Sequence, residues 1–451
     1  MKKLLATILA LVMALGLCSV SWAVDAGKVV VHGIKYNDKD DNEFATFEAA
    51  YAALKPVIES VCDTDVLGQG TAKSVEAFKA VFTDVDSDGN ATITYKISGN
   101  VTYDETSCPN LLTMGRKASH YGNDLHFINF KFAGADENRG ATLTVNSDIT
   151  LPYEWWGENT TTAISFENLT ITGSAPNGLY PYQKFFEGIS FSVNNCTLKG
   201  IKIYNCSNVG GSYSITNSTL DGTGAPGNAY AIHLQGNETA PLTITISGNE
   251  ISGYDRGVNI DQNTAQATVS NNTISVAPGY SCVQISRVGK IEIKNNDLTL
   301  NGSNAFTIHE VALKTGGTPD ISISNNTITG TGYLLYDDVK ANGGSLDSET
   351  DTPKIVIKME NNTIPSTVDT TKGVKAGNVV ANDSQVVSNA VREGITVLQT
   401  PPRYYYHPTT DTKADETKGS PKTFDAGVGI YAVTAVLSVT GMAWTAKKRE
   451  N

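Results

Sequence analysis

The residues best equipped for chemistry recur at one place in a repeating pattern. His233, Asp261, Arg287, His309, Glu310, Asp337 and Asp338 fall on or just after short segments that alternate apolar and polar residues. These segments include Ala231-Ile232-His233-Leu234-Gln235, Gly257-Val258-Asn259-Ile260-Asp261, Cys282-Val283-Gln284-Ile285-Ser286 and Ala305-Phe306-Thr307-Ile308-His309. Alternation puts Val258 and Ile260 inside and Asn259 and Asp261 outside. Stacked as strands about 4.8 Å apart, the segments give outward columns. One column reads Lys202, His233, Asn259, Gln284 and Thr307; the next reads Tyr204, Gln235, Asp261, Ser286, His309 and Asp337. A third reads Gln262, Arg287, Glu310 and Asp338. Such a strip of rings, amides and charges suits a long polymer. Glu310 and Asp338, one rung apart, meet the spacing that glycoside hydrolysis asks of two carboxyls. Arg256 or Arg287 supplies the basic group that lyase chemistry would use to take a proton. Arg287 beside Glu310 also reads as a plain ion pair between rungs. Binding and catalysis both stay open on these residues.

The elements that position them are announced by a phrase. Asn271-Asn272-Thr273-Ile274 returns as Asn325-Asn326-Thr327-Ile328 and Asn361-Asn362-Thr363-Ile364. Looser copies begin at Asn168, Asn195, Asn217, Gly248 and Asn295. Successive copies lie 27, 22, 31, 23, 24, 30 and 36 residues apart, a minimal unit with loops of varying length. Each phrase follows an alternating strand, such as Thr243-Ile244-Thr245-Ile246. Asn suits the corner, since it tolerates the left-handed conformation and its amide bonds locally. Stacked amides can also bond along the axis.

On these residues the chain resembles the right-handed parallel β-helix family with a pectate-lyase-like fold, over roughly residues 126–366. The resemblance implies an all-β architecture and leaves function open. The polygalacturonase signatures do not occur in order, Asp337-Asp338 is a lone dipeptide, and no calcium-binding acids recur on consecutive rungs as in pectate lyases.

The flanks carry addresses. Residues 1–23 read as a signal peptide, with Lys2-Lys3, an apolar Leu4–Leu17 and a small-residue cleavage site at Ser21-Trp22-Ala23. Residues 420–451 combine Ser420-Pro421-Lys422-Thr423-Phe424, an uncharged stretch at 426–446 and Lys447-Lys448-Arg449. That order resembles the sortase sorting signal of Gram-positive surface proteins, with Pro421 and Thr423 matching and Ser420 and Phe424 departing from it. The resemblance implies sortase and peptidoglycan as partners, with a membrane stage through the apolar segment; a plain membrane anchor is the alternative. Residues 24–125 are expected to form a small α/β capping region. In it, residues 44–61 and a segment around Val75, Phe78 and Val81 read as helices, and residues 91–103 as a hairpin or the first coils. Residues 367–419 read as a stalk.

Asp84, Asp86 and Asp88, with Gly89 at the sixth position of their loop, resemble the opening of a calcium loop. Tyr95 stands where that loop wants Glu, and Asp88-Gly89 is equally a turn signal. No other cofactor is indicated. Trp155 and Trp156 are candidates to stack on sugar rings or to cover the side of the coil. The cysteines are scattered, and Cys196, Cys206 and Cys282 read as small buried hydrophobes. A net charge of -12 argues against nucleic acid as partner. The expectation is a wall-anchored surface protein that binds glycan or another surface ligand in adhesion or colonisation. The alternative is a surface polysaccharide lyase or glycoside hydrolase acting on an acidic, plant or host glycan.

Overall fold

The computed structural model describes residues 27–61, 75–104, 106–108, 120–121, 124–125, 128–150, 161–175, 178–180, 188–206, 210–227, 229–236, 242–309, 319–337, 355–370 and 395–400. They form a right-handed parallel β-helix with three strands per coil. The first strands, such as Thr161–Glu167, Gly188–Asn194, Gly210–Thr216 and Leu242–Ser247, pair in parallel from coil to coil. The second strands, Leu169–Gly173, Thr197–Lys199 and Thr219–Asp221, do the same. The third strands carry the strip: Ile203–Cys206, Tyr230–Gly236, and the leading parts of Arg256–Ser270 and Ser281–Lys294.

Alternation dictates what fills the interior. Ile164, Phe191, Tyr213, Ile244, Ala267, Ile291 and Ile321 follow one another in register, and all are buried. Their neighbours point outward, so each strand sheds its apolar surface to one side only.

The repeated phrase divides into two tasks. Its first residue turns the corner: Asn168, Asn195, Asn217, Asn271, Asn295, Asn325 and Asn361 all have φ between 51° and 57°. Gly248 serves the same corner at φ 70°. The second residue points inward. Asn249, Asn272, Asn296, Asn326 and Asn362 form a buried ladder. From Asn249 to Asn326, each Nδ2 donates at 2.9 Å to the Oδ1 of the next Asn, as in Asn272 to Asn296 and Asn296 to Asn326. The same Nδ2 donates to a backbone carbonyl of the preceding coil, and the backbone N–H joins it on the next Oδ1. Ser218 and Cys196 continue the column toward the N-terminus, with the Ser218 hydroxyl accepting from the Cys196 N–H.

The N-terminal end is closed as expected. Lys28–His32 pairs antiparallel with Ala91–Ser98 and with Asn42–Phe44. Helix α1, Phe47–Val61, buries Phe47, Ala50, Leu54, Ile58 and Val61, and runs through Pro56. Phe47 sits over the first coil, its ring 5.4 Å from Tyr95 and 5.9 Å from Phe132. Helix α2, Val75–Val81, follows. Residues 91–103 are the first coil, not a hairpin: Ala91–Ser98 and Asn100–Tyr103 pair in parallel with Ile128–Gly134 and Ala141–Val145. At the other end, Ile395–Thr400 pairs in parallel with Ile355–Glu360, so strand structure enters the stretch expected to be a stalk. The signal peptide, the Ser420–Phe424 motif and the apolar segment after it lie outside the described residues.

Candidate functional site

The third strands bring His233, Asn259, Gln284 and Thr307 into one column. Lys202 does not head it. Ile203 pairs with Ile232, which places Tyr204 beside His233 instead. Tyr336 completes the column beyond Thr307, and Asp337 falls opposite Ile308 rather than in line with His309. Leu334 and Leu335 are both buried, so alternation alone did not fix that register.

A β-bulge changes the next column. The register shifts between Ile260 and Gln262, which face Ile285 and Val288. The Ser286 hydroxyl lies with the side chains of the neighbouring column, donating to Asn259 Oδ1 at 2.9 Å and accepting from Gln284 Nε2 at 3.3 Å, and Ser286 is fully covered. Arg287 is thereby aimed at Asp261. Its Nε and Nη2 donate to the two carboxylate oxygens at 2.9 and 3.0 Å, a bidentate pair that is 16% exposed on each side. Arg287 thus makes an ion pair between rungs with Asp261, one coil earlier. Glu310, Asp338, Trp155 and Trp156 lie outside the described residues, as does the side chain of Asp337.

An aromatic cluster that the sequence columns did not include stands at the start of the third strands. Tyr230 pairs in register with Arg256. The guanidinium of Arg256 is flanked by the rings of Tyr230 and Tyr280, at 4.9 and 5.0 Å. Its Nη1 donates to the Tyr230 hydroxyl at 2.8 Å, and that hydroxyl donates to Gln284 Oε1 at 3.0 Å. The His233 ring lies 4.5 Å from Tyr230 and 5.2 Å from Tyr204. Gln235 Nε2 donates to the Tyr204 hydroxyl at 2.9 Å. Burial pushes His233 down to about 4, with help from the positive charges of Arg256 and Lys202 and against the pull of Asp261 and Gln235. It is therefore a neutral ring at pH 7.

Tyr230, Arg256, Tyr280 and Gln284 of this cluster border a half-open pocket of about 330 Å³. Tyr230, Arg256, Tyr280 and Tyr336 form part of its wall. Ser281, Gln284, Asn304 and Thr307 supply hydroxyls and amides, and His309 stands at one side. Asn304 and Thr307 are almost fully buried, at 4% and 3%. The Ser281 and Thr307 hydroxyls bond each other, which fixes both. Among the described residues, none lining the pocket carries a carboxylate. The recurrence of Tyr204, Tyr230, Tyr280 and Tyr336 on or beside four of the third strands is the signal by which the sequence announces this cluster.

The Asp84–Asn90 segment is a turn. Asp86 Oδ1 accepts the backbone N–H groups of Asp88 and Asn90, and its Oδ2 accepts Asn90 Nδ2. Gly89, at φ 86°, donates its N–H to the Asp86 carbonyl. Asp86 is thus engaged in holding its own loop. Among the described residues no three of His, Cys, Asp or Glu are grouped to hold a metal ion, so the calcium expectation for Asp84, Asp86 and Asp88 finds no support.

Neither a curated protein nor a solved structure matches the chain. Residues 167–364, the coils that carry the Asn ladder and the pocket, are similar to the family described as periplasmic copper-binding protein (NosD).

Proposed function

We propose that this β-helix is displayed outside the cytoplasm and binds a saccharide chain in the tyrosine-lined pocket. The observation that carries the proposal is the wall itself: aromatic rings beside fixed hydroxyls and amides in one pocket. A pyranose has apolar faces and a polar rim. Tyr rings offer large, amphipathic contact area at small entropic cost, while amides and hydroxyls select among sugar hydroxyls. Holding the saccharide, rather than cutting it, fits the charges. Asp261 is neutralised by Arg287, and among the described residues the pocket lining offers no carboxyl pair to protonate a leaving group and attack a sugar.

Placement outside the cytoplasm rests on the leader and C-terminal signal in the sequence, and on the word periplasmic in the description of the similar family. Attachment to peptidoglycan by a sortase acting at Ser420–Phe424, and a role in adhesion, belong to the same proposal. Copper, which that description also names, does not suit the donors in the described coils. Soft sites draw on imidazole, thiolate or thioether. Cys196, Cys282 and Met359 are buried in the core, and burial pushes the two thiols up to about 11 and about 12. His233 and His309 are separated by three rungs, about 14 Å, too far to share an ion.

A glycan array probed with the purified full chain, with mass analysis of the products, tests the proposal. Binding is expected without new reducing ends or unsaturated products. Cleavage would overturn the binding role, and an array without signal would overturn the saccharide.

A further inference from the structure

We infer that the saccharide is acidic, and that Arg256 meets its carboxylate or sulfate directly, without a bridging metal ion. This rests on the saccharide-binding proposal above and names the class of ligand. A guanidinium carries five N–H donors. In Arg256 one of them bonds the Tyr230 hydroxyl, and no carboxylate lies within ion-pair distance among the described residues. Arg287, one coil on, shows the alternative, since its Nε–Nη2 edge is taken by the Asp261 carboxylate.

A partly buried cation without a counterion is costly unless something offsets its lost hydration. The rings of Tyr230 and Tyr280 do so in part through cation–π attraction. They also hold the guanidinium in place, which removes the side-chain entropy a ligand would otherwise have to fix. Among the described residues of the lining, an incoming anion meets the fixed guanidinium of Arg256 and no carboxylate. Gln284 and Asn304 stand on the same wall for the hydroxyls of the sugar that bears the anion. Among the described residues no group of acids stands ready to hold a bridging cation.

The test is calorimetric binding of the full chain to hexagalacturonate, to a heparin hexasaccharide and to neutral cellohexaose, each with and without EDTA. At least one acidic probe is expected to bind roughly tenfold or more tighter than cellohexaose, the worth of one charged hydrogen bond. EDTA should leave that preference intact, and added salt should weaken it. The two acidic probes separate carboxylate from sulfate. Arg256→Gln should level acidic and neutral affinities, and Arg256→Lys, which keeps charge but loses the fork, should retain part of the preference. The inference is overturned if cellohexaose binds as tightly as both acidic probes, if EDTA abolishes the preference, or if a folded Arg256→Gln protein keeps it. Should Arg256→Gln fail to fold, an acid affinity indifferent to salt overturns it instead. Binding of cellohexaose alone sinks only this inference, whereas silence from all three probes sinks the saccharide proposal with it.

Discussion

Replacing Asn296 by Ala should cost about 4 kcal/mol, far more than any change at its neighbour Asn295. The size follows from the ladder. The Asn296 Oδ1 accepts from the Asn272 N–H at 3.0 Å and from Asn272 Nδ2 at 2.9 Å. Its Nδ2 donates to Val269 O and Asn326 Oδ1, both at 2.9 Å. Truncation strips the Asn272 N–H of that acceptor inside a dry interior and removes one partner from each of three other buried groups. A buried polar group left without a partner costs about 1–3 kcal/mol. One such group and three weakened ones bring the sum to about 4 kcal/mol, a large share of ordinary domain stability. Asn295, at φ 57°, stands exposed at the corner, so Asn295→Ala should cost only the left-handed strain, about 1–2 kcal/mol. Asn295→Gly should be nearly neutral, because Gly248 already serves that corner; Asn296→Gly should be as damaging as Asn296→Ala. Urea denaturation of the four variants measures this. A cost below about 1 kcal/mol for Asn296→Ala, or rescue of position 296 by Gly, would refute the division of labour.

Three further outcomes are expected. His233 is held neutral by burial, with its folded value near 4 against 6.5 in the open chain, so the unfolded state binds more protons between those limits. Stability is therefore full above pH 6.5 and falls by up to about 3 kcal/mol as pH drops to 4; urea titrations of His233→Gln should show a shallower loss. Cys196 and Cys282 should resist iodoacetamide at pH 8 in the folded protein and react in guanidinium, as read by peptide mass mapping, since burial holds both as thiols. Gly257→Ala should lower stability by about 3 kcal/mol and weaken saccharide binding together. A Cβ there would stand 2.1 Å from the Cys282 carbonyl, and relief must move the backbone next to Arg256.

The coil was legible because its signals are local and periodic. The alternation before each Asn named the inward residues correctly, as Ile244, Val258 and Ile260 show. The spacing of the phrase equals the span of the ladder bonds, 24 residues from Asn272 to Asn296 and 30 from Asn296 to Asn326. The strip was legible only in part. An extra residue between Ile285 and Val288 leaves no mark in an apolar-polar pattern, yet it buries Ser286 and turns Arg287 onto Asp261. The Tyr pocket escaped because Tyr230 opens its strand and Tyr280 sits just ahead of one, positions that alternation does not sort. Charged residues drew attention to the strand ends, whereas the groups that converge are mostly uncharged.

The interior is not uniform from end to end. Tyr95, Phe132 and Phe166 stack near the N-terminal cap, with Phe132 and Phe166 5.1 Å apart and nearly parallel. The same column continues as Val193, Ile215, Ile246, Val269, Ile293 and Ile323. Each coil of such a stack is held mainly by its two neighbours. A pull applied to the C-terminal end of the stack therefore meets the aliphatic rungs of this column first and its aromatic block last. The stack is graded like a rope that frays from one end, and coils lost there to a transient load can wind back onto a template that never came apart.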